Sequence, residues 1–121
     1  MRNPAGSIDV YINLEGKYKM LIYSGDTDMA VPTYGTKAWI ESLNWNVTKP
    51  WVQWMNEGQV GGYSERRANN TFTFTTIHGA GHMAPQWKPS ATYKAIFNFV
   101  NNKPYWLVSL CLKNFQYAFT K

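Results

Sequence analysis

Two short polar segments contain residue types that are suited to proton transfer. The first, Gly25–Pro32, contains Asp26 and Asp28, and the second, Gly79–Pro85, contains His82. An aspartate and a histidine are the acid and the base of a serine hydrolase triad. The histidine accepts the proton of a serine hydroxyl, and the aspartate fixes the tautomer of the ring and stabilises the imidazolium.

A strand is predicted directly before each of these segments. Lys19–Ser24 is a short apolar run of the kind that forms a buried parallel strand. Thr71–Ile77 alternates β-branched and aromatic residues, which favours a strand. The carboxyl ends of parallel strands meet at one edge of a sheet, where α/β proteins place their sites. We therefore expect the Asp28 carboxylate to lie within hydrogen-bond reach of the His82 ring.

The remaining elements are two helices and a hairpin. Thr36–Leu43 has helical spacing, with Pro32 predicted at the first helical position. Trp51–Met55 alternates as a strand does, and the pair Gly61-Gly62 is interpreted as the tight return into a second strand. Ser90 is predicted to be the N-cap of a last helix. The apolar residues of that helix share one face: Tyr93, Ile96, Phe97 and Val100. This order predicts an α/β layer with a parallel strand pair and an aromatic hairpin between the two strands.

Three strings of the sequence resemble a known family. YSGDTDMAVP, EGQVGGY and FTTIHGAGHMAPQWKP resemble the C-terminal part of the serine carboxypeptidases, from about Tyr18 to Pro104. The resemblance implies a partial α/β-hydrolase fold, made of the C-terminal strands and helices of a mostly parallel sheet. It also implies the release of a C-terminal amino acid from a peptide by Ser-Asp-His catalysis. By this resemblance Asp28 matches the acid, His82 the base, and Met83 a residue of the pocket for the departing amino acid.

The nucleophile is expected elsewhere. In this family it lies in a Gly-x-Ser-x-Gly-like elbow before the acid, and no such elbow precedes Asp28. The nearest match contains Ser64, but it follows Asp28 and lacks the second glycine, so we interpret Ser64 as a hairpin residue. The 121-residue chain is therefore predicted to be inactive alone. Its expected partners are peptide or protein C-termini as substrate, and the missing N-terminal part of the hydrolase domain or a chain that carries it.

The resemblance divides the chain into three parts. Residues 1–17 are a lead-in, residues 18–104 are the carboxypeptidase-like segment, and residues 105–121 are an apolar tail without resemblance to the family. Two other function classes remain open. One is a non-catalytic subunit or binding module with a hydrolase fold, and the other is an acyltransferase or hydroxynitrile lyase that uses the same triad.

Two alternative site chemistries use the same residues. Asp26 and Asp28 could form a phosphoryl-transfer site, although Ala30 stands where such phosphatases have Thr or Val. His78 and His82 have the spacing of zinc ligands on a helix, but the glycines between them argue against a helix there. We predict no metal and no cofactor, and we interpret His78 as a structural residue at a strand end.

Composition and targeting signals narrow the class of protein. Hydrophobic residues make up 45% of the 121, and charged residues 16%, which predicts one folded domain. The net charge of +5 is scattered, so nucleic-acid binding is not predicted. No apolar run reaches the roughly 18 residues of a membrane-spanning helix. The tryptophans are interpreted as core residues rather than a ligand platform.

Localisation is implied by the resemblance rather than by a leader sequence. The family implies the secretory pathway, with a vacuolar, lysosomal or extracellular destination. The first ten residues do not have the features of a signal peptide. Asn46 and Asn69 begin N-x-Thr sequons and are candidate glycosylation sites. Cys111 is the single cysteine, so an internal disulfide is excluded.

Overall fold

The computed structural model describes residues 6–105, which form four helices and four strands. The elements are, in chain order, α1 (Ile8–Leu14), β1 (Met20–Gly25), α2 (Thr33–Ser42), β2 (Val47–Asn56), β3 (Gln59–Arg67), β4 (Phe72–Ile77), α3 (Ala84–Trp87) and α4 (Pro89–Val100). Residues 106–121 of the predicted tail, including Cys111, lie outside the described residues. Within the described part, no helix is long and apolar enough to cross a bilayer.

The four strands form one sheet in the order β1-β4-β3-β2. β1 and β4 are parallel and in register, from Met20 opposite Phe72 to Gly25 opposite Ile77. The β2–β3 and β3–β4 pairs are antiparallel, so the prediction of a mostly parallel sheet is wrong for the described residues. The cause is connection length. A parallel pair needs a long crossover, which only the β1–β4 connection provides, whereas short turns join β2 to β3 and β3 to β4.

The turn of the hairpin lies before the glycine pair, not at it. Glu57 and Gly58 connect β2 to β3, with φ of 51° and 78°, and Gly61-Gly62 lies inside β3. The predicted hairpin is confirmed, but its predicted turn is wrong. The glycines serve packing instead. A Cβ at Gly61 would lie 2.2 Å from the Trp54 ring, so the bare backbone leaves room for the indole.

β4 is the centre of the core. All six of its residues are buried, as expected of a strand that is covered on both faces. Phe72 and Phe74 belong to one apolar cluster, and Ile77 belongs to another. Side chains alternate between the faces of a strand, so the two clusters lie on opposite sides of the sheet. The α2 side contains Ile40, Trp45 and Ala68, and the α4 side contains Trp54, Ala80, Ala84, Ala91, Ala95 and Tyr105.

The starts of the two longer helices differ from the prediction by one or two residues. Pro32 is the N-cap of α2 rather than its first residue, because its ψ of 135° is extended. Lys88 is the N-cap of α4, and Ser90 is the second helical residue. The predicted N-cap role of Ser90 is therefore wrong. Its hydroxyl donates instead to the Glu57 carboxylate at 2.5 Å, across to the hairpin turn.

The packing face of α4 is made of small residues. Ala91, Thr92, Ala95 and Asn98 are buried, and Tyr105 donates its hydroxyl to the Ala95 carbonyl at 2.5 Å. The apolar face predicted from the sequence is 37–67% exposed: Tyr93, Ile96, Phe97 and Val100. Small residues face the sheet because they allow the helix backbone to approach the large rings of Trp54 and Tyr105. The prediction that the tryptophans are core residues is confirmed for Trp45 and Trp54, which are buried, and wrong for Trp87, which is exposed.

Candidate active site

The first candidate residue, Asp28, lies in the loop that follows β1. This acid loop, Asp26–Pro32, begins at the carboxyl end of the strand. Asp28 Oδ1 accepts hydrogen bonds from the backbone N–H groups of Ala30 at 2.8 Å and Val31 at 3.1 Å. These bonds form a local turn of the type that aspartate favours. They fix the carboxylate through one oxygen and leave Oδ2 available for a partner.

That partner is His82, in the loop between β4 and α3. This histidine loop, His78–Met83, has no regular structure, as its glycines predicted. His82 Nδ1 lies 2.8 Å from Asp28 Oδ2. The Asp28 side chain is 7% exposed and the His82 side chain 59% exposed. The carboxylate is thus shielded while one edge of the imidazole ring remains accessible. The predicted proximity of these two residues is confirmed.

The pairing selects the chemistry that His82 can perform. A carboxylate next to Nδ1 accepts a hydrogen bond from the protonated form of that nitrogen, which leaves Nε2 as the basic position of the neutral ring. Among the described residues, no hydrogen bond to Nε2 is present. His82 can therefore accept a proton from a group that approaches the exposed edge of its ring.

The hydrogen bonds also act on the carboxyl group. The bond from His82 lowers the pKa of Asp28 most, and the bond from the Val31 N–H lowers it next. Burial raises this pKa, and the bond from the Ala30 N–H lowers it by less than burial raises it. The charged form of Asp28 is thus favoured. A charged carboxylate is the form that orients an imidazole and stabilises it when it becomes protonated.

The sheet brings the two loops together. Because β1 and β4 are parallel and in register, Gly25 lies opposite Ile77 and both strands end at the same edge. The Thr27 N–H and hydroxyl both donate to the Ala80 carbonyl, at 3.0 and 2.8 Å. A Cβ at Gly25 would lie 2.3 Å from that same carbonyl oxygen. Glycine at the end of β1 is thus required for the close approach of the two loops.

A cleft of about 340 Å³ lies next to the pair. Asp28 and His82 both line it, together with residues of β1 and two aromatic side chains, Tyr11 of α1 and Trp39 of α2. The rings of Tyr11 and Trp39 lie 4.8 Å apart. Sequence reasoning did not identify either ring as part of the site. The helical spacing around Trp39 indicated only that it faces the protein, and no pattern singled out Tyr11.

The second aspartate and the second histidine pair with each other. His78 Nδ1 lies 2.7 Å from Asp26 Oδ2, and Asp26 Oδ1 accepts the Gly79 N–H at 2.7 Å. Asp26 and Asp28 are thus engaged with different histidines, and so are His78 and His82. This is not the convergence that the phosphoryl-transfer and zinc alternatives require. In residues 6–105, no three His, Cys, Asp or Glu side chains are grouped as metal ligands.

The other candidate residues lie in different surroundings. Met83 is exposed and follows His82 directly. Ser64 lies in β3, is 1% exposed, and has no hydrogen-bond partner for its hydroxyl among the described residues. β4 separates β3 from β1 in the sheet, so Ser64 is not brought to the cleft. Asn46 and Asn69 are both exposed on the surface.

The model of the serine carboxypeptidase family matches residues 6–102. This chain belongs to the serine carboxypeptidase family. Serine carboxypeptidase-like 17 of Arabidopsis thaliana is 45% identical over 94 residues, which cover 78% of this chain and 21% of that protein. Serine carboxypeptidase-like 20 of the same plant is 51% identical over 87 residues, covering 70% and 17%.

A relative from a second plant has similar coverage. Serine carboxypeptidase 1 of Hordeum vulgare is 44% identical over 91 residues, which cover 74% of this chain and 18% of the relative. The chain thus spans about a fifth of the length of these serine carboxypeptidase relatives. The described residues form a mixed α/β unit with one four-stranded sheet, which is consistent with part of a hydrolase fold.

Proposed function

We propose that this chain contributes the acid and the base of a serine carboxypeptidase, with Asp28 as the acid and His82 as the base. The observation that carries the proposal is the 2.8 Å approach of Asp28 Oδ2 to His82 Nδ1. It is supported by the position of both residues after neighbouring parallel strands that end in register. Family membership supports the reaction class, which is the removal of a C-terminal amino acid from a peptide.

In this reaction His82 moves the proton. Nε2 accepts the hydroxyl proton of a serine as the serine oxygen attacks the last peptide carbonyl, and the proton then passes to the departing amine. A covalent acyl-enzyme forms, and water hydrolyses it with His82 again acting as base. Asp28 holds the Nδ1–H tautomer throughout and stabilises the imidazolium. Its lowered pKa supports the charged form that this role needs.

We propose that the serine comes from outside these 121 residues. The source is the N-terminal part of the same hydrolase domain or a partner chain that carries it. In the described sheet only β4 pairs with β1, so the other edge of β1 offers backbone groups to a further strand. The cleft that contains Asp28 and His82 is lined by residues of this same strand. A strand added there parallel to β1 would end at the same edge of the sheet as the cleft.

Met83 is proposed to line the pocket for the departing amino acid. It directly follows His82 and is exposed, so its side chain is available to a substrate. The exposure of Asn46 and Asn69 is compatible with glycosylation, which requires passage through the secretory pathway. We propose that pathway, with a vacuolar, lysosomal or extracellular destination, as the location of the protein.

The first experiment tests the isolated chain. Without a nucleophile no acyl intermediate forms, so the purified 121-residue chain is expected to release no amino acid from a blocked dipeptide. Turnover that co-elutes with the chain on gel filtration, and that a serine-directed inhibitor abolishes, would contradict the proposal. In that case this chain would contain its own nucleophile.

The second experiment supplies the missing part. Residues 6–102 replace the matching segment of the Hordeum vulgare serine carboxypeptidase, and release of C-terminal amino acids is measured. We expect Asp28→Asn to lower kcat by about 10⁴-fold and His82→Gln by at least as much, as in other Ser-His-Asp enzymes. Asp9→Asn, an exposed site on α1, is the matched control and should retain activity.

The outcome also separates the alternative functions. A chimera that folds and releases no amino acid would favour a non-catalytic hydrolase-fold subunit. Turnover that requires an added acyl acceptor would favour an acyltransferase, and cleavage of a hydroxynitrile would favour a lyase. Asp28→Asn with full peptidase activity would contradict the assignment of Asp28.

A further inference from the structure

The contacts between the two loops extend well beyond the Asp28–His82 pair. Asp26 uses both carboxylate oxygens, one for His78 and one for the Gly79 N–H, each at 2.7 Å. Thr27 donates twice to the Ala80 carbonyl, from its backbone and from its hydroxyl. Residues 26 and 27 of the acid loop thus hold residues 78–80 of the histidine loop. The catalytic reaction as described above uses none of these contacts.

The histidine loop needs such external support. The His82 side chain is 59% exposed, so close packing does not fix the ring. Gly79 has a φ of 67°, and Gly81 follows two residues later. Glycine has the widest conformational freedom of all residues, so the sequence of the loop alone does not define its backbone conformation. Apart from the burial of Ala80 in the core, hydrogen bonds from a neighbouring element therefore define the position of His82.

We infer that Asp26 and Thr27 are positioning residues, which hold the histidine loop so that His82 meets Asp28 in the Nδ1–H tautomer. The inference rests on the proposed function. Asp26 anchors the start of the loop through His78 and Gly79, and Thr27 anchors its middle through Ala80. Asp28 then receives the ring at the end of the loop.

The contact at the end of β1 sets the opposite limit. Because a Cβ at Gly25 would lie 2.3 Å from the Ala80 oxygen, strand and loop lie too close there for any side chain at position 25. The hydrogen bonds from Thr27 hold the loop against the end of β1, and the close approach at Gly25 leaves little free space between them. Together they restrict the loop to a narrow range of positions, and the 2.8 Å pair lies within that range.

The test measures the tautomers of the two histidines in the full 121-residue chain. With only two histidines present, long-range ¹H–¹⁵N correlation of the rings assigns each one. His82→Gln is the assignment variant, because only the signals of His78 remain in it. Spectra are recorded at about pH 9, well above the ordinary pKa of a histidine side chain, about 6.5, so that neutral rings are observed. In the unsubstituted chain we expect His82 to be mainly in the Nδ1–H form. Asp26→Ala should remove this preference and leave a mixture of tautomers.

A second pair of variants is independent of Asp26. Thr27→Val keeps the shape of the side chain but removes the donor to Ala80, and it should weaken the Nδ1–H preference of His82. Thr27→Ser keeps the hydroxyl and should restore the preference. If Asp26→Ala fails to fold, this pair decides the matter alone.

Two controls separate positioning from general destabilisation. Asp9→Ala removes an exposed carboxylate on α1 and should leave the spectrum unchanged. Ile40→Val trims a buried residue of the other core cluster and should lower stability without altering the His82 tautomer. An equal change of tautomer in Ile40→Val would overturn the inference.

The remaining outcomes distinguish this inference from the proposed function. If Asp28→Asn removes the tautomer preference while Asp26→Ala and Thr27→Val do not, the catalytic pair is correct and the positioning role is wrong. If His82 has no Nδ1–H preference in the unsubstituted chain, both assignments are wrong.

Discussion

A single methyl group at Gly25 tests how strictly the fold controls the candidate site. A Cβ there would lie 2.3 Å from the Ala80 carbonyl oxygen and 2.4 Å from that of Gly81. Ordinary contact begins at 3.4 Å, so Gly25→Ala requires a displacement of about 1 Å. Both neighbours are backbone atoms, which cannot rotate away as the end of a flexible side chain can. The strand or the histidine loop must therefore move as a unit.

The expected magnitude follows from this displacement. Forcing a methyl group into a close-packed site costs about 1–3 kcal/mol of the free energy of unfolding. A shift of about 1 Å also lengthens the 2.8 Å bond between Asp28 and His82 beyond the usual limit of about 3.2 Å for a hydrogen bond. In the chimeric enzyme, misplacement on this scale should lower kcat by about 10²-fold.

The assay combines urea unfolding with the tautomer measurement of His82. Gly35→Ala is the matched control, because Gly35 lies in α2 and no atom lies within 4 Å of the position that the added methyl group would take. In a helix, alanine is favoured over glycine by about 0.5–1 kcal/mol, so this control should be more stable than the unsubstituted chain. If Gly25→Ala unfolds at the same urea concentration as the unsubstituted chain and His82 keeps its Nδ1–H tautomer, then the end of β1 tolerates a side chain and does not control the site.

Three further variants test the charge and the core. Folding lowers the pKa of Asp28. The charged carboxylate therefore stabilises the fold above the pKa of the unfolded chain, about 3.9, and this stabilisation is lost as the pH falls through the pKa of the folded chain. The stability difference between the unsubstituted chain and Asp28→Asn should therefore shrink below about pH 4 in urea titrations, and a difference that grows there contradicts this. Trp54 is 1% exposed and donates its Nε1–H to Thr75. Trp54→Ala should therefore lower the free energy of unfolding in urea by about 3–5 kcal/mol. A loss under about 1 kcal/mol would show that neighbouring residues fill the space left by the ring. Tyr105→Phe removes the hydroxyl that binds the Ala95 carbonyl and should cost about 1 kcal/mol at neutral pH, whereas unchanged stability would mean that this bond contributes nothing.

Local patterns predicted the elements where one physical cause dominates. Thr71–Ile77 alternates β-branched and aromatic residues, and it forms β4 over Phe72–Ile77. The helical spacing of Thr36–Leu43 corresponds to α2 over Thr33–Ser42. In both segments the propensity of the residues and their burial favour the same structure. Where these two agree, a helix or strand can be predicted from its own residues without knowledge of the elements that pack against it.

The prediction was wrong where a neighbouring element changes the meaning of a residue. Gly61-Gly62 resembles a turn, but Gly61 makes room for the Trp54 ring and Gly62 for the Thr76 carbonyl of β4. Ser90 has the chemistry of an N-cap, yet its hydroxyl binds Glu57 on the hairpin. The exposed face of α4 contains the larger apolar residues, and small residues face the sheet instead. Each case depends on a residue that is distant in the sequence, so no local sequence pattern could have predicted it.

By itself the sequence determined the family and the chemical types at the site. Two aspartates after one strand and two histidines after another predicted an acid and a base at one sheet edge. The resemblance and the strand order also predicted the pair Asp28–His82, whereas only the tertiary structure decided that Asp26 pairs with His78. Because β1 and β4 end in register, the start of each loop meets the start of the other. Asp26 therefore pairs with His78, and Asp28, one turn further from the sheet edge, pairs with His82.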